Sequence, residues 1–178
     1  AIEGRGQVVG IVGEAGMGKS RLLHEFRASL TGRAVTWIAG DCFSYGTAIP
    51  YLPVLEVLRQ NFALLETDRP EDIVEKVQAG LDALGMRGSA PYLFHILGIT
   101  EGTEALSALS PEALRARTLE TIRQMSLRAG QQRPLVLAIE DLHWIDKTSE
   151  EFIAAMVEIL ARASILFLAT CRPLYRPP

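Results

Sequence analysis

The sequence predicts an α/β fold with three layers, in which helices cover both faces of a parallel sheet. Four short apolar runs have the length and β-branched character of buried strands, and they alternate with segments of helical spacing. Alternation of this kind argues for a parallel sheet covered on both faces. Residues 53–130 lie between the second and third runs and are mainly of helical pattern, which predicts a helical insertion there.

The first strand and the first helix flank a loop that is rich in glycine. Residues 7–12 form an apolar run bounded by glycines, which predicts a buried strand. The loop follows at 13–18, and apolar residues at helical spacing then predict a helix over 19–30. A Thr-Gly pair at 31–32 ends that helix, and the sequence AVTWIA at 34–39 predicts the second strand.

Several helices are predicted between the second and third strands. Pro53 and Pro70 each stand where a helix begins, because proline fits the first position of a helix. A short helix is predicted at 91–97, and a loop of small and acidic residues at 98–110. Ser110 is a suitable N-cap for a long helix that reaches about residue 129.

The remaining chain predicts two further strands with one helix between them. Residues 134–139 and 164–169 are apolar runs that predict the third and fourth strands. The sequence TSEE at 148–151 fits a capping box, so we expect a helix over 152–161. The proline-containing segment 172–178 predicts an extended linker.

Composition and charge are those of an ordinary globular domain. The 178 residues suit one domain with a sizeable core, and 48% of them are hydrophobic. The formal net charge of −3 argues against a global attraction to nucleic acid or acidic lipid. No apolar run approaches the roughly 18 residues of a membrane-spanning helix, and no signal peptide is evident. Cys42 and Cys171 are far apart, so we expect reduced thiols in a cytoplasmic protein.

The glycine-rich loop carries a complete phosphate-binding motif. GEAGMGKS at 13–20 matches the pattern G-x-x-x-x-G-K-[ST], with a strand predicted before it and a helix after it. The N–H groups of such a loop can surround a diphosphate or triphosphate only where no Cβ blocks the approach, which accounts for the glycines. The residues that we expect to contact the nucleotide are Gly13, Glu14, Ala15, Gly16, Met17, Gly18, Lys19, Ser20 and Arg21.

A cation, a hydroxyl and two acids supply the chemistry at this loop. Lys19 is placed to neutralise the β- and γ-phosphates, next to the positive end of the predicted helix. Ser20 offers its hydroxyl to Mg²⁺, and Glu140 at the end of the third strand holds the same ion through water. Asp141 then orients or deprotonates the attacking water. The two acids exchange roles only if the strand ends one residue earlier, and the alternative for the pair is that both are plain solvated caps.

Five positions near these acids leave alternatives open. His143 and Trp144 either shape the loop beside the γ-phosphate or serve as a surface histidine and a packing tryptophan. Asp146 either caps the next helix or holds a cation, and we favour capping. Thr170 and Arg172 end the fourth strand, where the arginine either senses the γ-phosphate or is an ordinary surface residue. No second histidine or cysteine stands at ligand spacing, which argues against a zinc site.

These segments together resemble the signal-transduction ATPases with numerous domains (STAND), a branch of the AAA+-related P-loop ATPases. The similarity is greatest to the ATPase modules attached to class III adenylate or guanylate cyclases and to large LuxR-type regulators. It covers nearly the whole chain and rests on GEAGMGKSRLLHEF at 13–26, PLVLAIEDLHWID at 134–146 and LATCRP at 168–173. Cys42 and the sequence PYLP at 50–53 support it.

The resemblance implies a fold of the ASCE/AAA+ type that binds ATP or ADP with Mg²⁺ and hydrolyses ATP slowly. It implies a regulatory switch in a multidomain protein, with Arg172 as the residue that senses the γ-phosphate. The partners implied are other domains of the same parent chain, namely a cyclase or DNA-binding effector and a repeat sensor. The resemblance allows nucleotide-dependent self-association. The short apolar runs and the acidic net charge argue against a membrane partner and against direct contact of this domain with nucleic acid.

We expect residues 1–178 to be one ATPase core domain within a longer protein. The chain begins with Ala1, and IEGR at 2–5 is either a protease-recognition tetrapeptide or a native polar lead-in to the first strand. The lid, the winged helix and the upstream Gly-Arg segment of related proteins are not found in it. Hydrolysis by this core alone is therefore expected to be weak or absent.

Two other functions would use the same loop. A small-molecule kinase would transfer the phosphoryl group to an acceptor, in a pocket under the helices of 53–97, and its turnover would depend on that acceptor. An initiator-like DNA-remodelling ATPase would need a basic surface, which the acidic net charge does not suggest.

Overall fold

The computed structural model of the chain describes residues 4–158, 160 and 163–176, and at position 48 it describes the backbone alone. Within these residues four strands form one parallel sheet, in the spatial order β1-β4-β3-β2. The strands are β1 (Gln7–Val12), β2 (Thr36–Asp41), β3 (Leu135–Glu140) and β4 (Ile165–Cys171). The predicted α/β class with a parallel sheet is therefore confirmed. The start of the IEGR tetrapeptide, the end of the predicted helix 152–161 and the last two prolines lie outside the described residues.

Six α-helices are present in the same residues, and four of them lie between β2 and β3. The helices are α1 (Lys19–Ser29), α2 (Leu52–Asn61), α3 (Pro70–Ala83), α4 (Ala90–Ile96), α5 (Pro111–Gln132) and α6 (Lys147–Val157). The segment predicted as a loop at 98–110 contains a 3-10 helix, Glu104–Ala108. Over the described chain, no helix combines the length and the apolar character that crossing a membrane requires.

The face of the sheet that lies against α1 holds an apolar core. Leu23 of α1 packs with Val136, Ala138 and Leu168, and all four side chains are buried. Val136 and Ala138 are two positions apart on β3, and alternate side chains of a strand point to the same face. Glu140 is the next member of this series. The alternation therefore directs Glu140 to the face that carries α1, the helix that follows the phosphate loop.

The opposite face of the sheet carries α6 and an apolar groove of about 560 Å³. Ile153 and Val157 of α6 line this groove together with Phe167 of β4. Val8 and Val12 of β1 border it as well. Helices on both faces give the three layers that the sequence predicts.

The prediction that β1 is a buried strand is wrong. Val8 and Val12 expose 52% and 60% of their surface, and the other residues of the strand are also exposed or half-buried. β1 lies at one edge of the described sheet, where β4 is its pairing partner. An apolar run predicts that a strand forms, but it does not show whether neighbouring elements cover that strand.

The predicted start of α6 and the capping box at 148–151 are also wrong. Asp146 has extended backbone angles, φ −73° and ψ 152°, and its carboxylate accepts the N–H of Ser149 at 2.9 Å. Asp146 is therefore the N-cap of a helix that begins at Lys147, in agreement with the capping role favoured above for this residue. Thr148 already lies in the first turn, because an aspartate two residues earlier is at least as good an N-cap as a threonine.

The ends of β2 and β3 meet at one level of the sheet. β2 lies two residues later than the predicted 34–39, and Asp41 at its end pairs with Glu140. β4 likewise continues to Cys171, beyond the predicted end at 169. Ladder hydrogen bonds join backbone groups, so the pairing continues where the side chains are no longer apolar.

The chain divides into two compact units. The helical unit is Leu58–Ala129, and its division from the rest falls within α2 and α5. Inside this unit, Arg128 donates from Nη1 to the carbonyl oxygens of Leu84 at 2.7 Å and Gly85 at 3.1 Å, which joins α5 to the end of α3. The sheet unit contains all four strands, α1 and α6, and the site described below lies entirely within it.

Candidate functional site

The loop between β1 and α1 has a backbone shape that requires glycine at two positions. Gly16 and Gly18 have φ angles of +79° and +87°, a region that residues with a Cβ rarely adopt. Gly18 is the N-cap of α1, so its conformation turns the chain into the helix, whose first N–H groups have no partner within the helix. Gly13 differs, because a Cβ there would meet Met17 Sδ at 3.6 Å, which is an ordinary contact.

Lys19 bends back over the phosphate loop. Its Nζ donates to the carbonyl oxygen of Gly13 at 3.0 Å and to that of Glu14 at 3.2 Å. The N–H of Gly13 in turn donates to the carbonyl oxygen of Cys171 at 3.2 Å, which ties the loop to the end of β4. The ammonium group is thereby held against the loop by two neutral acceptors.

A polar pocket of about 330 Å³ lies beside the loop. It is lined by Ala15, Gly16, Gly18, Lys19, Ser20, Arg21, Asp141 and Arg172. Three segments therefore meet here: the loop with the start of α1, the end of β3 and the end of β4. Among the described residues, the predicted site residues that stay outside this lining are Gly13, Glu14, Met17 and Glu140. The apolar groove on the other face is larger, but its lining includes none of the predicted site residues.

The chain turns sharply at Asp141, directly after β3. Its φ of 52° and ψ of 45° lie in the left-handed region, which costs a residue with a Cβ about 1–2 kcal/mol. Thr170, fully buried on β4, stabilises the turn because its Oγ1 accepts the N–H of Asp141 at 2.8 Å. On a continued strand Asp141 would point away from the face of Glu140. The turn ends this alternation and brings the Asp141 carboxylate to the pocket.

Arg172 lies over the face of an aromatic ring at the border of the pocket. Its Cζ is 5.7 Å from the ring centroid of Trp144, within the range of a cation–π interaction. Arg172 and Lys19 line the same pocket as Asp141. With Arg21, three positive side chains and one carboxylate from three segments therefore border one space.

His143 is half-buried next to these charged groups, and both of its ring nitrogens are buried. Its Nδ1 is 3.9 Å from a carboxylate oxygen of Asp141, and neither ring nitrogen has a hydrogen-bond partner among the described residues. Burial lowers the pKa of His143, the charge of Asp141 opposes this, and the positive charges of Arg172 and Lys19 lower the pKa further. The imidazole is therefore neutral near neutral pH.

Two contributors to this edge of the sheet are missing from the sequence-based site. One is Thr170 as the acceptor for the Asp141 N–H, which depends on the strand register and has no signal in the motif. The other is Asp41, whose pKa is raised by burial and then by the charge of Asp141. Asp41 did have a signal, because it follows the second apolar run and the ends of parallel strands meet at one edge.

The family of the chain follows from comparison with family models. The family model described as "AAA ATPase domain" matches residues 1–168, which include the phosphate loop and the acids at the end of β3. The chain belongs to the AAA ATPase domain family. The predicted P-loop ATPase identity is confirmed at this level, whereas attachment to cyclases or LuxR-type regulators stays a prediction.

Two similar proteins differ from this AAA ATPase domain in extent. An uncharacterized protein of Rhizobium meliloti (strain 1021) is 29% identical over 175 residues, which are 98% of this chain and 17% of that protein. The chain thus spans 17% of the length of this relative. CbiO1 from Clostridium perfringens, part of the ABC transporter complex CbiONQ, has 18% identity and a TM-score of 0.37 over 93% of this chain and 67% of that chain.

An AAA ATPase domain implies a nucleotide and Mg²⁺, and the residues at the pocket fit both. Ser20 is exposed in the first turn of α1 and lines the pocket with Asp141. Hydroxyl and carboxylate oxygens are ligands that Mg²⁺ accepts, and it is commonly held by one or two carboxylates plus phosphates. A loop of N–H groups with a lysine beside it suits the phosphates themselves.

Proposed function

We propose that this AAA ATPase domain binds ATP with Mg²⁺ and hydrolyses it slowly, and that the bound nucleotide is a switch for other domains of the parent protein. The observation that carries the proposal is a polar pocket that is bordered by Lys19, Ser20, Asp141 and Arg172 together. These side chains supply a cation for the phosphates, a hydroxyl for the metal, a carboxylate for water and a second cation. The family match supports the ATPase activity.

Binding would replace the present partners of Lys19. Its Nζ now donates to the neutral carbonyl oxygens of Gly13 and Glu14. A phosphate oxygen is a charged acceptor, and hydrogen bonds to charged acceptors are shorter and stronger than those to neutral ones. We therefore expect Lys19 to leave these carbonyls for the phosphates, while the first N–H groups of α1 add the positive end of the helix.

Ser20 and Glu140 would hold the metal, the acid through water. Bound Mg²⁺ neutralises charge that develops on the β- and γ-phosphates. Ser20 lines the pocket, and the alternation along β3 directs Glu140 to the face of α1. This placement favours Glu140 as the metal ligand and Asp141 as the acid that acts on water.

Asp141 would orient the attacking water and take its proton. As the water oxygen bonds to the γ-phosphorus, the bond from that phosphorus to the bridging oxygen breaks and ADP leaves with the bonding electrons. Asp141 is suited to this role because its side chain is 47% exposed at the pocket, where water has access. Arg172 would stabilise charge on the γ-phosphate from the β4 side.

The switch role rests on the resemblance to STAND ATPases and on Arg172. An arginine at the pocket can bind differently to a triphosphate and a diphosphate, so the end of β4 would change with the nucleotide state. The partners proposed are a cyclase or DNA-binding effector and a repeat sensor in the same chain, in the cytoplasm, with nucleotide-dependent self-association. The much greater length of the Rhizobium meliloti relative supports a multidomain parent.

Calorimetric titration of the purified protein with Mg·ATP tests the proposal. Lys19→Ala is expected to weaken binding by about 30-fold or more, because truncation of one partner of a hydrogen-bonded charge pair costs roughly 2 kcal/mol or more. Lys147→Ala, at an exposed lysine outside the pocket, is the matched control and should bind like the wild type. Equal affinity of the wild type and Lys19→Ala would defeat the proposal. Phosphate release that requires an added acceptor would favour a kinase instead.

A further inference from the structure

We propose that Trp144 is a positioning residue whose ring holds the Arg172 guanidinium at the pocket, and that this contact lets the domain distinguish ATP from ADP. The inference rests on the proposed function, because it concerns the nucleotide selectivity of the same site. Trp144 needs no contact with the nucleotide for this role, since it acts through Arg172.

The contact keeps a long side chain in one place. The Cζ of Arg172 lies 5.7 Å from the ring centroid of Trp144, and in this position Arg172 lines the pocket with Lys19 and Asp141. A free arginine samples many rotamers, and ordering it on binding costs side-chain entropy. A ring that restricts the guanidinium before the ligand arrives reduces this cost.

The position of Trp144 is itself fixed by the turn that carries Asp141. The N–H of Trp144 donates to the carbonyl oxygen of Asp141 at 2.9 Å. The N–H of Asp141 donates to Thr170 Oγ1 at 2.8 Å, and Thr170 lies two residues before Arg172. The backbone of Trp144 and the end of β4 that precedes Arg172 are therefore tied to the same turn.

His143 is a second ring beside Trp144. Its ring centroid is 5.1 Å from that of Trp144, and the two ring planes are inclined by 42°. The indole therefore contacts both the imidazole and the guanidinium, which restricts its own position.

Arg172 is the cation at this pocket that is suited to detect a third phosphate. The loop and Lys19 come from the start of α1, whereas Arg172 comes from the end of β4, beside the carboxylate proposed to act on the attacking water. ADP lacks the phosphate at which that water reacts. Placement of Arg172 before binding therefore favours the triphosphate over the diphosphate.

The chain contains a matched pair away from this pocket. Arg27 lies over the ring of Trp37 with its Cζ 5.8 Å from the centroid, nearly the same distance as in the Trp144 pair. Arg27 and Trp37 are on the α1 side of the sheet, outside the lining of the pocket. Substitutions in this pair show what loss of a stacked arginine does where no phosphate is expected.

Calorimetric affinities for ATP and ADP, expressed as the ratio of their dissociation constants, test the proposal. We expect Trp144→Leu to lower the preference for ATP by about 3- to 10-fold, because Arg172 loses both the cation–π contact and the order that this contact provides. Arg172→Gln should lower the preference at least as much. Trp144→Phe keeps an aromatic face and should stay near the wild type. Arg27→Gln is the control and should leave the ratio unchanged.

The double variant Trp144→Leu/Arg172→Gln separates positioning from general damage. If Trp144 acts through Arg172, the double variant has the ratio of Arg172→Gln alone, because the two effects are not additive. Additive losses, or a wild-type ratio in Trp144→Leu while Arg172→Gln loses its preference, would overturn the proposal. If the wild type does not bind ATP, both the proposed function and the role of Trp144 fail. If the wild type binds ATP and only the variants contradict the expected ratios, the role of Trp144 alone fails.

Fluorescence gives a second readout that needs no substitution of Trp144. In a Trp37→Phe background Trp144 is the remaining tryptophan, because the sequence has two. We expect ATP to change its emission more than ADP does, since the guanidinium on the ring gains a phosphate partner. The difference should disappear in Arg172→Gln. Equal responses to the two nucleotides with Arg172 present would contradict the proposal.

Discussion

At the scale of single residues, the site depends on a left-handed turn that places a carboxylate at the phosphate loop. Asp141 adopts φ 52°, and it does so at the point where β3 ends and the pocket begins. Such a conformation persists only where surrounding contacts stabilise it. The contacts here are the hydrogen bond to Thr170 and the one from the N–H of Trp144.

Thr170→Val is expected to destabilise the protein by about 1 kcal/mol or more, because the part-buried N–H of Asp141 loses its acceptor while the shape of the side chain is kept. Urea denaturation measures this change. Thr170→Ser keeps the hydroxyl, so its free energy of unfolding should fall clearly less than that of Thr170→Val. A Val variant as stable as the wild type would show that Thr170 does not support the turn.

The sequence predicts part of this site because the phosphate motif is local. Residues 13–21 are recognisable from their order alone, since the loop and the helix start lie next to each other in the chain. The contributions of Thr170 and Asp41 depend on which strands are neighbours and on their register. No local pattern encodes a hydrogen bond between positions 141 and 170.

At the scale of elements, the helix that follows the acids begins at a carboxylate. Asp146 Oδ1 accepts the N–H of Ser149, and this cap fixes the start of α6 directly after the turn with His143 and Trp144. The cap therefore contributes both to the stability of α6 and to the position of the residues before it.

Asp146→Ala should lower the free energy of unfolding by about 0.5–2 kcal/mol, the usual cost of a lost N-cap. Thr148→Ala is the matched control, because Thr148 is the cap that the sequence pattern favours and lies inside the helix here. Urea denaturation of both variants distinguishes the two caps. A larger loss of stability in Thr148→Ala than in Asp146→Ala would show that the capping box at 148–151 is the true cap.

Near the start of the helical unit, Asp68 is paired with Lys76, and this pairing makes the stability of the folded protein depend on pH. Asp68 accepts from Lys76 Nζ at 2.6 Å and from the N–H of Leu65 at 2.8 Å, and these bonds hold its pKa below the usual value. The folded state thus favours the charged form. The stabilisation is present above about pH 4, near the pKa of an unfolded aspartate, and it is lost as the pH falls through the lower folded pKa.

Asp68→Asn should therefore destabilise the protein at neutral pH, and its difference from the wild type should shrink in acid. Urea denaturation at neutral pH and at about pH 3 measures this convergence. Glu101→Gln, at an exposed acid, is the control. A difference between Asp68→Asn and the wild type that stays constant with pH would exclude the charge of Asp68 as the cause.

The elements themselves were largely predictable, and the errors have physical causes. Apolar periodicity places the four strands and most helices to within a few residues, because burial on one face imposes that pattern. The exposure of β1 was not predictable, since it depends on what covers Val8 and Val12. The early start of α6 was missed because several capping residues stand close together at 146–149.

At the scale of the whole molecule, binding and hydrolysis are assigned to different side chains of the sheet unit. In the proposed function Lys19 and Ser20 would bind the phosphates and the metal, whereas Asp141 would act on the attacking water. Asp141→Asn should accordingly keep ATP affinity within about threefold, yet lower phosphate release by about 100-fold, the lower range for loss of a general base. Phosphate release by the parent protein measures this change. Equal turnover in the variant would remove Asp141 from the reaction.

The division into two units was not evident from the sequence. Helical periodicity identifies α2 to α5, but it does not show which of these helices pack with one another. The division falls within α2 and α5, so no proline- or glycine-rich linker marks it. The helical unit nevertheless lies inside the predicted insertion.

A crystal structure of the protein with Mg²⁺ and a non-hydrolysable ATP analogue is the decisive test of the proposed nucleotide site. We predict that the phosphates occupy the pocket beside Gly16 and Gly18, that Lys19 leaves the carbonyls of Gly13 and Glu14 for phosphate oxygens, and that Arg172 reaches the terminal phosphate. A nucleotide bound elsewhere, with Lys19 still on those carbonyls, would contradict it.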